Sequence, residues 1–557
     1  MFTHTSQTRR TMTLLSAGAA AALLITGLGV FQARANNLTW NPNQSATGGT
    51  NGSGTWNSSG TYWYDTSTSS GPVAWTNGDG AYLGAGTGGS GNYTVTLGSS
   101  SGTYSTTNLG VNNSGNAYVL NGGGGTITNI GTGSSTEQLV VNGSLSLENI
   151  TLKSYSTIAV NSGSAKTGSL LNINSGTTVT MASSSNLYLS DATGGAGGST
   201  GTVDVNGGSL TVQAITVEAN TIQQTGILNI NSGTVTTTAI AGVTSKSTTN
   251  VGSTTTVNLN GGTLDTRWIT STNKGNEIVN FNGGVLQANN IGGIGAASSS
   301  PYTIPSGSLN VQTGGAIMDS NAHTYWIQEP LVHDATLGST PDGGLTVMDS
   351  KATGSQTTSY VTLQGANTYT GPTTVQAGGD LVLAGAATAA NGVALAAATI
   401  ADSSAVTINS GGVLTLANDS AATQVNALNI NGGSLTFELN STQTPSLTIN
   451  SKANVSGVNN INIFAVSGTT SFTMGTYNLI TDSLGGLSGG TFQFTGGGQT
   501  AIAGPLSGGN SYLLTLGSSD TAETLTISAV PEPATLGLFA VSGIALLLVN
   551  RKRRSQA

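Results

Sequence analysis

Residues 428–438 read LNINGGSLTFE. Leu428 and Ile430 alternate with Asn429 and Asn431, a glycine pair follows, and Leu435 and Phe437 resume the alternation. Successive side chains of a strand point to opposite faces, so Leu428 and Ile430 share one face and Asn429 lies on the other. Glycine takes positive φ without a Cβ clash, which turns the chain between the two short strands. The phrase recurs as LNINSGTTVTM from Leu171, VDVNGGSLTVQ from Val203, LNINSGTVTTT from Leu228, VNLNGGTLDTR from Val257, VNFNGGVLQAN from Val279, LNVQTGGAIMD from Leu309 and VTINSGGVLTL from Val406. Among the first six copies the starts are 32, 25, 29, 22 and 30 residues apart, and the last pair is 22 apart. Such lengths suit one coil of a β-solenoid, with the variation absorbed in corner loops. One coil cannot bury its own apolar face, whereas in a stack each rung pairs with the next and covers it. Asn-Gly-Gly between alternating strands also suits a hairpin, so an antiparallel sandwich is the rival architecture.

Composition agrees with an all-β chain. The 557 residues include 82 glycines, only 6% charged and 5% aromatic residues, and no cysteine. Charged residues usually make up about 25% of a globular domain. The apolar residues are mainly Val, Leu, Ile and Ala set among Thr, Ser and Asn, which favours strands over helices. The recurrence of apolar residues in strand register argues against disorder, whose signature is low hydrophobicity with high net charge. Seven of the 14 basic residues lie in the two terminal segments, leaving seven against 21 acids between residues 36 and 530, a net charge of −14. Nucleic acid is therefore not an expected partner, because phosphate binding needs clustered Lys and Arg. The absence of cysteine removes disulfides, thiolate metal sites and cysteine nucleophiles together.

Both ends carry targeting patterns. Arg9 and Arg10 precede an apolar stretch over residues 14–30, and Ala33-Arg34-Ala35 has the small-x-small form cut by signal peptidase. Residues 1–35 are therefore expected to be a signal peptide. At the other end Val530-Pro531-Glu532-Pro533 leads into an uncharged run, residues 534–549. Its apolar body includes Ala534, Leu536, Leu538, Phe539, Ile544, Leu546, Leu547, Leu548 and Val549, and the basic cluster Arg551, Lys552, Arg553 and Arg554 follows. As a helix this run of 16 residues spans roughly 24 Å against a hydrocarbon core of about 30 Å, a short transmembrane anchor stopped by the basic cluster.

This tail resembles the PEP-CTERM sorting signal, a Pro-Glu-Pro motif followed by a transmembrane stretch and an Arg-rich end. The resemblance implies export in a Gram-negative, exopolysaccharide-making bacterium and processing by a membrane enzyme called an exosortase. In the body, GANTYTGPTTVQAG over residues 365–378 carries Gly365, Asn367, Tyr369, Gly371, Thr373, Thr374, Val375 and Gly378. It resembles the autotransporter-associated β-strand repeat, which implies right-handed parallel β-helix coils. The chain departs from autotransporters in having no tail of amphipathic strands for an outer-membrane barrel, so self-export is not expected.

The expected organisation is a signal peptide at 1–35, an aromatic-rich N-terminal β cap at 36–105, solenoid repeats at 106–470 with the autotransporter-like core at about 309–385, a C-terminal β-rich cap at 471–529, and the sorting signal with its transmembrane helix at 530–557. The cap segment holds Trp40, Trp56, Trp63 and Trp75. A solenoid needs a distinct piece to cover its first rung, and large aromatics can supply it. An aromatic sugar-binding face is the alternative.

Side chains able to do chemistry are few. Asp319, His323, Glu329, His333 and Asp334 combine the two body histidines with carboxylates, but the histidines are farther apart than in compact metal motifs. Asp79 in Asn77-Gly78-Asp79-Gly80 fits turn chemistry better than a calcium site. Arg267 and Lys274 near Asp265 and Glu277 form the best catalytic constellation, and ordinary surface charge explains them as well. No catalytic, cofactor or metal residues are assigned. The expectation is a non-enzymatic surface or matrix protein whose partners are signal peptidase, an exosortase-type enzyme, the inner membrane before processing, and exopolysaccharide. A glycan-binding adhesin and a β-helix polysaccharide lyase or hydrolase are the alternatives.

Overall fold

A computed structural model describes residues 35–530 except the segments 88–89, 100–101, 113–114, 132–137, 162–166, 193–197, 220–222, 246–251, 271–274, 295–307, 352–358, 385–386, 389–393, 396, 418–422 and 442–443. Of the described strands, 40 join one sheet. The strands on either side of Asn-Gly-Gly do not pair with each other. Thr423–Asn431 pairs in parallel with Val406–Ile408 below it and Leu447–Ser456 above it, and Ser434–Leu439 pairs with Val413–Leu416 and Val458–Ala465. The architecture is therefore a parallel β-solenoid and not a sandwich of hairpins.

The parallel pairs fall into three columns. The first runs from Gly54–Trp56 through Ser253–Leu259 and Gly275–Phe281 to Leu331–His333. The second runs from Thr103–Thr106 to Leu447–Ser456, and the third from Asn37–Trp40 to Thr491–Phe494. Long strands such as Gln224–Ser245 visit all three faces, and register shifts mark the corners. The alternating residues of each rung point inward, as with Val257 and Leu259 over Val279 and Phe281, all fully buried.

The glycine pair has two separate jobs. Gly432 sits at φ +69°, where a side chain is strained, while a Cβ on Gly433 would lie 2.6 Å from Ile408 Cγ2 in the rung below. One glycine turns the corner and the other lets the rungs close.

Outside the first face the repeat asparagines form two amide ladders along the stack. Asn229 Nδ2 donates to Asp204 Oδ1 at 2.6 Å, Asn258 to Asn229 at 2.6 Å, Asn280 to Asn258 at 2.7 Å and Asn310 to Asn280 at 2.8 Å. A second ladder joins Asn231 to Asn206 at 2.9 Å and Asn260 to Asn231 at 2.8 Å. Each amide donates to one rung and accepts from the next, the arrangement that stabilises stacked asparagines in cross-β assemblies.

Parallel pairing starts inside the aromatic segment, where Asn37–Trp40 pairs with Gly80–Leu83. Trp40, Trp56, Trp63 and Trp75 are at most 3% exposed and pack edge to face, with Trp56 and Trp63 centroids 5.0 Å apart and Trp56 and Trp75 4.7 Å apart. They plug the open end of the core, which rules them out as a sugar-binding face. The opposite end is closed by antiparallel strands, Gly475–Asp482 against Ala522–Ala529, which in turn pairs with Tyr512–Ser518. Among the described residues no helix is long and apolar enough to cross a membrane. The expected signal peptide up to Arg34, and the expected anchor, lie outside the described residues.

Two stability measurements follow. Trp56→Ala should cost about 3–5 kcal/mol and open the first rungs preferentially; hydrogen exchange should show the loss confined to that end. Asn258→Ala removes one donor and one acceptor from the ladder and should cost about 1–2 kcal/mol in urea unfolding.

Candidate functional site

The first candidate cluster separates on folding. Asp319 ends the strand Ala316–Asp319 on the second face, and His323 lies in the turn that follows. His333 ends Leu331–His333 on the first face, and Asp334 caps the 3-10 turn Ala335–Leu337. Asp319 Oδ1 accepts from the backbone N–H of Asn321 and of Ser350, both at 2.9 Å, and its Oδ2 accepts from Gln287 at 2.7 Å. Asp349 repeats the pattern one coil later, accepting from Ala322 and Lys351 N–H and the Ser359 hydroxyl. These carboxylates staple corners together, each taking backbone donors from its own coil and a neighbour. Among the described residues no three His, Asp or Glu side chains are placed to hold a metal ion.

His333 belongs to a different staple. Its Nδ1 lies 2.8 Å from Asp342 Oδ2 and its Nε2 3.1 Å from the Gly338 carbonyl. Asp342 also accepts from Gly344 N–H, Thr370 N–H and hydroxyl, and Gly371 N–H. The hydrogen bond to Asp342 raises the His333 pKa above its ordinary value despite partial desolvation. Burial works to raise Asp342, but the bonds from Thr370, His333, Gly371 and Gly344 prevail and hold it below the ordinary carboxylate value.

The GANTYTGPTT phrase forms the same corner. Gly365 takes φ +74°. Asn367 is buried, accepts from Leu331 N–H at 2.9 Å, and donates to the carbonyls of Gly365 and Thr399. Buried Tyr369 shares a 2.7 Å hydrogen bond with Thr373, which meets Ser403 at 3.0 Å. A Cβ on Gly371 would strike the Asp342 carbonyl and Gly344 nitrogen. Thr374 stands beside Val375, which points into the core, and Gly378 turns at φ +79°. Above Leu331–His333 this segment replaces the first-face strand with a side-chain-bonded bend.

Among the described residues, Asp265, Arg267 and Glu277 of the catalytic constellation do not assemble either. Glu277 points into the interior beside Thr255, fully buried, with neither carboxylate oxygen hydrogen-bonded. Burial pushes its pKa well above the ordinary value. Asp265 lies on the outer side of the second face, in register with Gln287 and, two rungs on, Asp319. Burial raises its pKa, while the charges of Lys351 and His323 oppose the rise. Arg267 turns away, donating from Nε to the Ile291 carbonyl at 3.0 Å and lying 5.0 Å above the Trp268 ring. Lys274 lies outside the described residues. Asp79 receives the Asn36 N–H at 3.0 Å and so anchors the first strand. A shallow groove of about 320 Å³ near Thr448, Asn450, Thr481 and Ser483 contains Asp482, whose oxygens already accept from Ala453 and Leu484 N–H.

Of the sorting residues the structure describes Val530, immediately after the last strand, while Pro531, Glu532, Pro533, the apolar run and the basic cluster lie outside the described residues. Of the expected peptidase site, Ala35 is the first described residue and exposed, and Ala33 lies outside. Sequence reasoning missed Trp268 and Trp326, which lie outside the aromatic segment and share one column, on either side of Gly293, only through the stacking of coils.

Compared with known families, residues 529–554 match the PEP-CTERM protein-sorting motif. No curated protein matches the chain. The motif marks an exported protein sorted to the cell envelope or surface through an exosortase.

Two pH dependences test these assignments. The stabilising bond of His333 is fully present below pH 6.5, its ordinary value, and is lost as pH rises through its raised native value. His333→Ala should therefore cost about 1–2 kcal/mol at acidic to neutral pH and progressively less in alkali, measured by urea unfolding. Glu277 has a raised native pKa, so wild-type stability should fall as pH climbs above 4.5, its ordinary value. Glu277→Gln should match wild type in acid and melt at higher temperature near neutrality.

Proposed function

We propose that this chain is a non-catalytic structural rod of the cell surface or extracellular matrix, delivered by its C-terminal signal and associated with exopolysaccharide. The observation that carries it is the junction at Ala529. The strand Ala522–Ala529 is held between Gly475–Asp482 and Tyr512–Ser518, and the sorting motif begins where that strand ends. A cut beyond Ala529 would leave every described hydrogen bond of the cap in place. The rod would then be released from a short apolar anchor without unfolding.

The non-catalytic part rests on how the acids are used. Asp319, Asp334, Asp342, Asp349 and Asp482 are hydrogen-bonded at corners, and Glu277 is sealed inside. A general acid and base need carboxylates that face a substrate across a shared space. The resemblance of about residues 309–385 to the autotransporter-associated repeat belongs to this reading, and its Gly365, Asn367 and Tyr369 lie at the corner described above.

Intact-mass analysis of protein recovered from the cell surface or medium tests delivery. The expected species begins near Asn36 and lacks residues 551–554; a species that retains them would establish permanent anchoring instead. Release of oligosaccharides from uronate or glycan polymers by the purified chain, abolished by Asp265→Ala, would overturn the non-catalytic assignment.

A further inference from the structure

Four of the six tryptophans form the buried plug, and the remaining two, Trp268 and Trp326, are partly exposed on the outside of the third face. Their strand neighbours Ile269, Tyr325 and Ile327 point inward and are buried, so each indole lies on the solvent side of its rung. Neither is part of the apolar core. They share one column: Trp268 is in register with Gly293, and Gly293 with Trp326. A glycine therefore separates two indoles set two rungs apart, roughly 9.6 Å along the stack.

Close packing fixes that glycine. A Cβ on Gly293 would lie 2.2 Å from the Trp326 carbonyl oxygen, and one on Gly292 would lie 1.9 Å from that of Arg267. The rung between the tryptophans thus carries no side chain at this column. Beyond them the column continues with the small, partly exposed Ala239 on one side, which leaves the line of the stack open there, and with Thr362, only 4% exposed, on the other, where the column is covered. Beside it, the Arg267 guanidinium lies over the Trp268 ring.

We infer that Trp268 and Trp326 form a binding platform for a linear polysaccharide lying along the solenoid axis. Sugar rings have one face of C–H groups and a rim of hydroxyls. An indole offers a broad apolar surface to the first, and a guanidinium offers donors to the second. Two rungs of a parallel sheet are on the scale of a disaccharide, so every second ring of an extended chain meets an indole. A compact ligand would use one ring only. The column and the small Ala239 beside Trp268 favour a chain that continues past the site at that end. This inference rests on the proposed association with exopolysaccharide and names where that contact is made.

Calorimetric titration of the full chain, in a detergent without sugar headgroups, tests it with cellohexaose as the neutral probe and an alginate hexasaccharide as the acidic one. Saturable binding of either is expected, and the probe that binds identifies the neutral or acidic class. Trp268→Ala and Trp326→Ala should each weaken it roughly tenfold. Phe464→Ala, an exposed aromatic at 54% elsewhere on the rod, should leave it unchanged. If the alanine variants do not fold, acrylamide quenching of the wild type gives the same information. The plug tryptophans are at most 3% exposed, so the quenchable fluorescence reports the two outer indoles, and saccharide should protect it. No saturable binding, equal loss in Phe464→Ala, or a dimer abolished by Trp268→Ala without saccharide binding would overturn the platform. None of these results depends on tail processing, so delivery to the surface stands or falls separately by intact mass.

Discussion

A rung of a parallel solenoid finds no hydrogen-bonding partner within its own coil. Its donors and acceptors point up and down the stack, so every rung depends on the two beside it. The inner surface is apolar because each coil can cover only the coil next to it. The outer asparagines follow the same rule, with the amides of Asn229, Asn258, Asn280 and Asn310 each joined to the rung below. Glycine at the corners is a condition of that closeness, since Gly433 sits where any side chain would meet Ile408.

A stack must end, and each end exposes unpaired backbone and core. This chain solves the problem differently at its two termini. The N-terminal coils fill the opening with interlocked indoles, and the C-terminal coils give way to antiparallel strands that pair with one another. With no cysteine available, packing and backbone pairing carry the stability that disulfides give many exported domains.

The scarcity of charge gives each carboxylate weight. In a rod with so few ionised groups the acids act mainly as multidentate acceptors at corners, where backbone N–H groups are left over by the change of direction. Asp319 and Asp349 occupy equivalent places in successive coils, and Asp342 gathers donors from His333, Thr370, Gly371 and Gly344. The outer surface that remains carries amides and hydroxyls, interrupted by the two partly exposed indoles and by scattered apolar side chains such as Phe464 and Leu484.

Alternation and the glycine corner were legible in the sequence because they are local. Strand period assigns Leu428 and Ile430 to one face, and repetition of the phrase predicts a repeated structural unit. The sorting motif was legible because its information is linear: Pro-Glu-Pro, an apolar run and a basic end need no fold to be recognised. The choice between hairpin and solenoid belonged to the tertiary structure, because both place Asn-Gly-Gly between alternating strands and differ only in which strand each one meets. So did the fate of the functional candidates. Asp265 and Glu277 are close in sequence but divided between an outer and an inner environment, whereas Trp268 and Trp326 are distant in sequence and aligned across Gly293. Sequence records neighbours along the chain; stacking coils of unequal length decides neighbours along the rod, and that is where its surface is made.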